Sequence, residues 1–289
     1  MQRYHSFICD SARWGGFRLR AGDVIVTTPP KAGTTWMQHC CLHLIHGGPA
    51  PAPLTEIAPW LDQSLEPLAD VVARLDAQAH RRVIKTHTPM DGLPWSDDVT
   101  YIGVGRDPRD VVLSFADHST NFDRERAAEL RAASGAGEPP PPISFATLRE
   151  WIDEDSPPHR FGSTLKFTAH HLSTLWAHRD RANVHLFHYA EMRRDLPGQL
   201  RRLAGALGID ADVDALAPGL TFESMKANAR ETAPNGASGI FKSPEQFFAA
   251  GRTGAWRDAF SPEDLARYDE RLAELCPDEE LRAWLHTES

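Results

Sequence analysis

The sequence predicts an α/β fold in which a mostly parallel central sheet is flanked by helices, and three observations point there. Short β-branched runs alternate with stretches of helical periodicity along the 289 residues, the pattern of strands covered on both faces by crossover helices. The first run, residues 23–28, passes through Pro29-Pro30-Lys31-Ala32-Gly33 into a helical stretch, the opening of a βα unit. Cationic and hydroxyl side chains recur at the carboxyl ends of three such runs, where ligands bind in open α/β sheets.

Each element has a local reason. The helix from Thr34 carries Trp36, Met37, Cys40, Leu44 and Ile45 and is stopped by Gly47-Gly48-Pro49, a glycine–proline terminus. A second strand is expected over 82–87, ended by Pro89, and a third over 99–104, ended by Gly105-Arg106. Asp107-Pro108-Arg109-Asp110 then starts a helix, with Asp107 as the cap and Pro108 at the first helical position. A fourth strand covers 183–188, and the following helix runs over 196–207 to Gly208. Residues 123–142 pass from an alanine-rich charged stretch to four consecutive prolines; they are expected to form a flexible surface insertion that builds no core. Residues 228–254 are loop-like in composition, and a last helix begins at Ser261-Pro262 with Leu265, Tyr268, Leu272 and Leu275 on its apolar face. No clean linker divides the chain, so one domain over 1–289 is expected.

Composition excludes several classes. Hydrophobic residues are 41% and charged residues 25%, the balance of a globule with a sizeable core rather than a fibre or a disordered chain. No apolar run reaches the 18 residues of a membrane span, and the first ten residues lack the apolar stretch of a secretory signal. Cys9, Cys40, Cys41 and Cys276 form no CxxC pair, which suits a reducing cytoplasm. A net charge of −9 disfavours nucleic acid as a partner, though a local cluster of cations can still hold a small anion.

Three segments carry candidate chemistry. In Lys31-Ala32-Gly33-Thr34-Thr35-Trp36, a glycine turn between strand and helix presents N–H groups to an anion, Lys31 adds charge, and the threonines add hydroxyl donors. Lysine precedes the glycine here, unlike the ATP-type loop, where GK[ST] is required. In Lys85-Thr86-His87, residues two apart on a strand face the same way, about 6.6–6.8 Å apart, so Lys85 and His87 address one ligand and His87 can act as a general base. Arg106 leaves the third strand beside a helix N-terminus, suited to a phosphate, with Ser114 two turns further on. Each segment also has a plain reading: an ordinary βα turn, one histidine among fourteen, or an Arg106–Asp110 pair with Ser114 packed in the helix. A ligand with two separated phosphate groups accounts for the two cationic sites present besides the lysine–histidine pair.

These residues resemble those of the cytosolic sulfotransferase family, and the composition suggests a bacterial member. Residues 31–36 are similar to its PKSGTTW loop with Ala32 in place of serine, residues 85–87 to its KTH segment, and 101–114 to its arginine-then-serine segment. Phe161-Gly162-Ser163, residues 188–192 and residues 221–226 continue the likeness in order, over about 20–270. The resemblance implies a P-loop-like α/β fold and transfer of a sulfuryl group from 3′-phosphoadenosine 5′-phosphosulfate (PAPS) to a hydroxyl or amine of a small acceptor, without a metal. It further implies that Lys31 to Trp36 hold the 5′-phosphosulfate, with Trp36 stacking on adenine, and that Arg106 and Ser114 hold the 3′-phosphate. Tyr189 and Phe222 would line the adenine site, His87 would take the acceptor's proton, and Lys85 would lie near the transferring group.

Two segments depart from the family pattern. Where the family has Arg-Lys-Gly before a tryptophan, this chain reads Ala249-Ala250-Gly251-Arg252 and then Trp256, leaving Gly251 and Arg252 as candidates for the 3′-phosphate. The family's KxxxTVxxxE dimer motif is replaced by residues 257–266, so oligomeric state is not inherited. The alternatives are a kinase-like phosphoryl transferase, disfavoured by the absent GK[ST], and a nucleotide-binding regulator without turnover. Phe7, Trp14, Phe17, Trp60 and Phe115, the prolines of the insertion and the His170–His171 pair are candidates to shape an acceptor pocket.

Overall fold

A four-stranded sheet of β1 (Val24–Thr27), β2 (Val83–Thr86), β3 (Thr100–Gly105) and β4 (Val184–His188) lies in the order β2-β1-β3-β4. All three pairings are parallel, with Val24 in register with Val83 and Thr100, and Tyr101 with Val184. The computed structural model describes residues 1–234, 239–248, 251 and 253–288.

Alternation along β1 sends Val24 and Val26 to one layer and Ile25 to the other, as a strand covered on both faces requires. On the first face lie α1 (Thr34–His46), which buries nearly every residue up to Leu44, and the helix over 196–207. On the second face lie the helices over 165–176 and 262–275. Between the two layers β1 and β3 are wholly buried, β2 is buried except at Lys85, and β4 is partly open at His185 and Leu186.

The expected helix starts are realised by their caps. In α2 (Pro108–Asn121) the Asp107 carboxylate accepts the Arg109 N–H, with Pro108 in the first turn. α3 (Arg124–Ala133) is capped by Asp123, and α4 (Leu165–Trp176) by Thr164. α5 (Leu196–Leu207) is capped by Asp195 and closed by left-handed Gly208, and buries Leu196, Leu200, Leu203, Ala204 and Leu207. That spacing is one face of a helix, and each leucine so buried contributes about 1.5–3 kcal/mol before entropy is counted. α6 (Pro262–Leu275) begins on Ser261 and buries Tyr268 and Leu272.

Two expectations are corrected. The insertion does build core in its first half: α3 buries Ala127 against Leu65, Ile240 and Phe241, partners distant in sequence that its composition does not reveal. The segment after 228 contains the short helices Ala229–Thr232 and Pro244–Phe247. Among the described residues no helix is long and apolar enough to cross a membrane. All four cysteines are free and buried.

Candidate active site

Because β1 is flanked by β2 on one side and β3 on the other, the chain reverses direction across the sheet at β1, and ligands bind outside the carboxyl ends at such a point. A cavity of about 960 Å³ opens there. Each strand delivers a side chain to it: Lys31 after β1, Lys85 and His87 at the end of β2, Arg106 after β3 and Tyr189 after β4.

The turn after β1 is left-handed at Lys31 (φ 65°) and at Gly33 (φ 110°). The second position requires glycine on a further count, since a Cβ would stand 3.1 Å from the Tyr189 ring. Arg106 fixes the turn from outside by donating from Nη1 to the Lys31 carbonyl at 2.9 Å, while its guanidinium lies 4.5 Å from the Tyr189 ring centroid. Thr34 and Thr35 open α1 and line the cavity with Lys31 and Gly33, whereas Ala32 is fully buried and lines no part of it. Trp36 is buried with its indole N–H donating to Leu220 O at 2.7 Å, edge-on to Tyr189.

His87 Nδ1 lies 2.8 Å from the carbonyl oxygen of Thr28. A carbonyl only accepts, so Nδ1 carries the proton and Nε2 is left with its lone pair. Burial, reinforced by the charge of Lys85, holds the imidazolium well below its usual range, so the ring is neutral at physiological pH. Trp60 stands edge-on 4.7 Å from the imidazole, and Phe161 is 6.3 Å away.

Lys85 faces the same cavity as His87, as their spacing predicts, with its ammonium 4.6 Å from the Trp60 ring centroid. Burial brings its pKa to about 8, with Asp62 opposing the shift. Lys31 falls to about 7, through burial and then the charges of Arg106 and Lys85. Three cations thus converge on one cavity in an acidic chain, each raising the cost of its neighbours' charges, and an anionic ligand would relieve them.

Ser114, Phe222 and Gly251 also line the cavity. Gly251 has φ 60°, and a Cβ there would stand 2.4 Å from the Phe222 ring. Asp110 accepts the N–H groups of Gly254 at 2.7 Å and Trp256 at 3.4 Å, so the start of α2 also holds the segment that follows Gly251. Arg252, Ala249 and Ala250 lie outside the described residues.

Of the aromatics offered for an acceptor pocket, Phe7, Trp60 and Phe115 line the cavity, as do Pro139, Pro140, Pro141 and Pro142. Trp14 and Phe17 belong instead to the core beneath the sheet. His170 and His171 do not line the cavity: His170 bonds Tyr4 and Asp91, and the fully buried His171 bonds Thr27. A residue the motifs missed is His118, whose Nδ1 lies 3.4 Å from Lys31 Nζ. It follows Ser114 by four positions on α2, so helical spacing alone puts it on the same face.

Residues 21–280 match the Sulfotransferase domain family. A glycolipid sulfotransferase of Mycobacterium bovis (strain BCG / Pasteur 1173P2) is 42% identical over 308 residues, covering 98% of this chain and 93% of that protein. A glycolipid sulfotransferase of Mycobacterium tuberculosis (strain ATCC 25177 / H37Ra) is 41% identical over 305 residues, with coverage of 98% and 93%. In fold, the chain is similar to a mouse sulfotransferase complexed with PAP, with a TM-score of 0.67 at 21% identity, covering 94% of this chain and 91% of that one. The four strand ends, the cavity they share and the match over residues 21–280 lead to one conclusion: this chain belongs to the sulfotransferase family and is an enzyme of sulfuryl transfer.

Proposed function

We propose that this cavity transfers the sulfuryl group of PAPS to a hydroxyl on an amphiphilic, glycolipid-like acceptor, with His87 as the general base. The observation that carries the reading is the bond from His87 Nδ1 to Thr28 O, which aims a neutral Nε2 into a cavity shared with Lys31, Lys85 and Arg106.

The donor's two anionic ends match the cation pattern. The 31–36 turn and α1 would receive the 5′-phosphosulfate, and Arg106 with Ser114 and Gly251 the 3′-phosphate. Trp36, Tyr189 and Phe222 would surround the adenine, with Arg252 a candidate second cation. The acceptor oxygen bonds to sulfur as the bond from sulfur to the bridging phosphate oxygen breaks, and the hydroxyl proton passes to His87 Nε2. Charge grows on the departing oxygen, so ammonium groups placed there stabilise the transition state more than the ground state. Nothing in these steps requires a metal.

The acceptor class is supported by the apolar lining beyond His87, including Trp60, Phe161, Phe115 and the four prolines, and by the glycolipid sulfotransferases at 41–42% identity. We place the enzyme in the reducing cytoplasm, where four buried thiols stay free. The test is transfer of ³⁵S from labelled PAPS to a neutral glycolipid in mixed micelles, beside a soluble phenol and a free sugar. Label in the lipid that His87→Ala abolishes is the expected result. Label in the phenol alone would overturn the acceptor class.

A further inference from the structure

The buried carboxylate of Asp62 has no part in the transfer described above, yet it lies directly behind the residues that perform it. Asp62 is fully buried. Its Oδ2 accepts from Thr86 Oγ1 at 2.7 Å, Thr88 Oγ1 at 2.5 Å and Trp14 Nε1 at 3.1 Å. Thr86 and Thr88 alternate with Lys85 and His87, so they leave the chain on the opposite side. The segment bearing Asp62 is tied to the same strand: Lys85 N–H donates to Pro59 O at 3.0 Å and Leu61 N–H to Lys85 O at 3.2 Å. Trp60, paired with Lys85 across this bridge, has its ring centroid 4.6 Å from the Lys85 ammonium.

A carboxylate in this position is costly unless it is used or fully satisfied. Every partner on Oδ2 is a neutral donor, and among the described residues Oδ1 has no hydrogen-bond partner; burial raises the carboxyl pKa and these donors oppose it. The charged and titratable groups facing it are Lys85 on β2, Cys9 on the N-terminal segment and Arg13 on the turn after it. Arg13 donates from Nε and Nη1 to the carbonyls of Leu61 and Glu66 at 2.9 Å each and does not line the cavity, and burial keeps Cys9 a neutral thiol. Lys85 is therefore the cation in the active site that this charge serves. Around its neighbours in the cavity lie Lys31, Arg106, His87 and His118, with the Asp117 carboxylate bearing on Lys31; the carboxylate bearing on Lys85 itself is that of Asp62.

We propose that Asp62 is a positioning residue for the transfer: it clamps the back of the β2 end through Thr86 and Thr88, and it supplies the buried counter-charge for the Lys85 ammonium on the front. This rests on the reading of Lys85 and His87 as reacting groups. The carboxylate favours the protonated form of Lys85 against the burial that lowers it, and that protonated form is the one able to meet a departing oxygen.

The chain has five lysines, so ¹³C-lysine-labelled protein gives a short set of Cε resonances, and Lys85→Arg identifies the one belonging to Lys85. In Asp62→Asn the Lys85 midpoint is expected to fall by about one pH unit, and the alkaline limb of kcat to move down with it. PAP affinity should stay within about twofold, and Asp62→Glu should restore the midpoint. Thr86→Val keeps the charge and releases one arm of the clamp; it should lower kcat about tenfold through misplacement with the Lys85 midpoint unchanged, a result readable even if Asp62→Asn does not fold. A Lys85 midpoint unmoved in Asp62→Asn, or an unaltered kcat in Thr86→Val, overturns the proposal. A shifted midpoint beside an unmoved kcat profile overturns the role given to Lys85 in transfer, and the Asp62 proposal with it.

Discussion

Arg106 donates from Nη1 to the main-chain carbonyl of Lys31 at 2.9 Å, so the cation after β3 holds in place the loop after β1. The ends of two strands adjacent in the sheet are thereby tied together, and the strained backbone of Lys31 is supported by a charge-assisted bond. Replacing Arg106 affects ligand contact and loop geometry together. Arg106→Lys should lower PAP affinity about 10–100-fold, the value of a charged hydrogen bond of about 1.5–3 kcal/mol, because lysine lacks the planar fork that reaches both the carbonyl and the Tyr189 face. Calorimetric titration checks this, and an affinity within twofold of the wild type would remove Arg106 from the site.

His87→Ala should reduce kcat by about 10²–10⁴-fold, the usual contribution of a placed base, while leaving PAP binding nearly intact. Since burial and Lys85 lower the His87 pKa well below 6.5, the base stays neutral as pH falls. The acid limb of kcat is therefore expected below pH 6.5. An acid limb at or above 6.5, or parallel loss of nucleotide binding in the alanine variant, would show that His87 is not the base.

Buried neutral histidines also set how stability follows pH. His171 is depressed to about 3 and His188 to about 4, both chiefly by burial. Below the unfolded value near 6.5 the unfolded chain binds protons that the folded chain refuses. Stability is thus fully present above 6.5 and is lost as pH falls toward the folded values. Each group contributes up to about 1.4 kcal/mol per pH unit in that window. Thermal melts between pH 7.5 and 5 should show a falling Tm, with a shallower slope in His171→Asn.

Gly251→Ala should harm both packing and binding. The position has φ 60°, and the new Cβ would stand 2.4 Å from the Phe222 ring. Overpacking and left-handed strain each cost about 1–3 kcal/mol, and relief requires Phe222 to leave its place in the cavity wall. The expected outcome is weaker binding of PAP with a Tm lowered by several degrees, measured on the same preparation.

At the opposite end of the sheet, Asp23 and Arg82 form a fully buried pair, with Nε and Nη2 at 2.7 and 2.6 Å from the carboxylate. Asp23→Ala strands the guanidinium without its buried partner and should cost about 3–5 kcal/mol in urea unfolding, with catalytic constants unchanged in the protein that remains folded.

The strand ends were legible because their chemistry is local. Lys85 and His87 share a face through the two-residue repeat of a strand, and Asp107-Pro108 announces the helix that places Ser114. What lay beyond reach depends on contacts distant in sequence. Asp62 is a lone acid 24 residues before Thr86, and no spacing links it to the KTH segment. Trp14 and Phe17 are as aromatic as Trp60, but residue type does not say which face of the sheet a side chain meets. Ala127 is buried only because Leu65, Ile240 and Phe241 come to it. His118 was available from helical spacing, as the residue four positions past Ser114.

The most direct measurement is calorimetric titration with adenosine 3′,5′-bisphosphate, beside ADP and magnesium-ATP, on the wild type and Arg106→Ala. The account predicts selective tight binding of the bisphosphate, lost in the variant. Preference for magnesium-ATP, or bisphosphate binding that Arg106→Ala leaves untouched, would contradict the assignment of this cavity as the sulfuryl donor site.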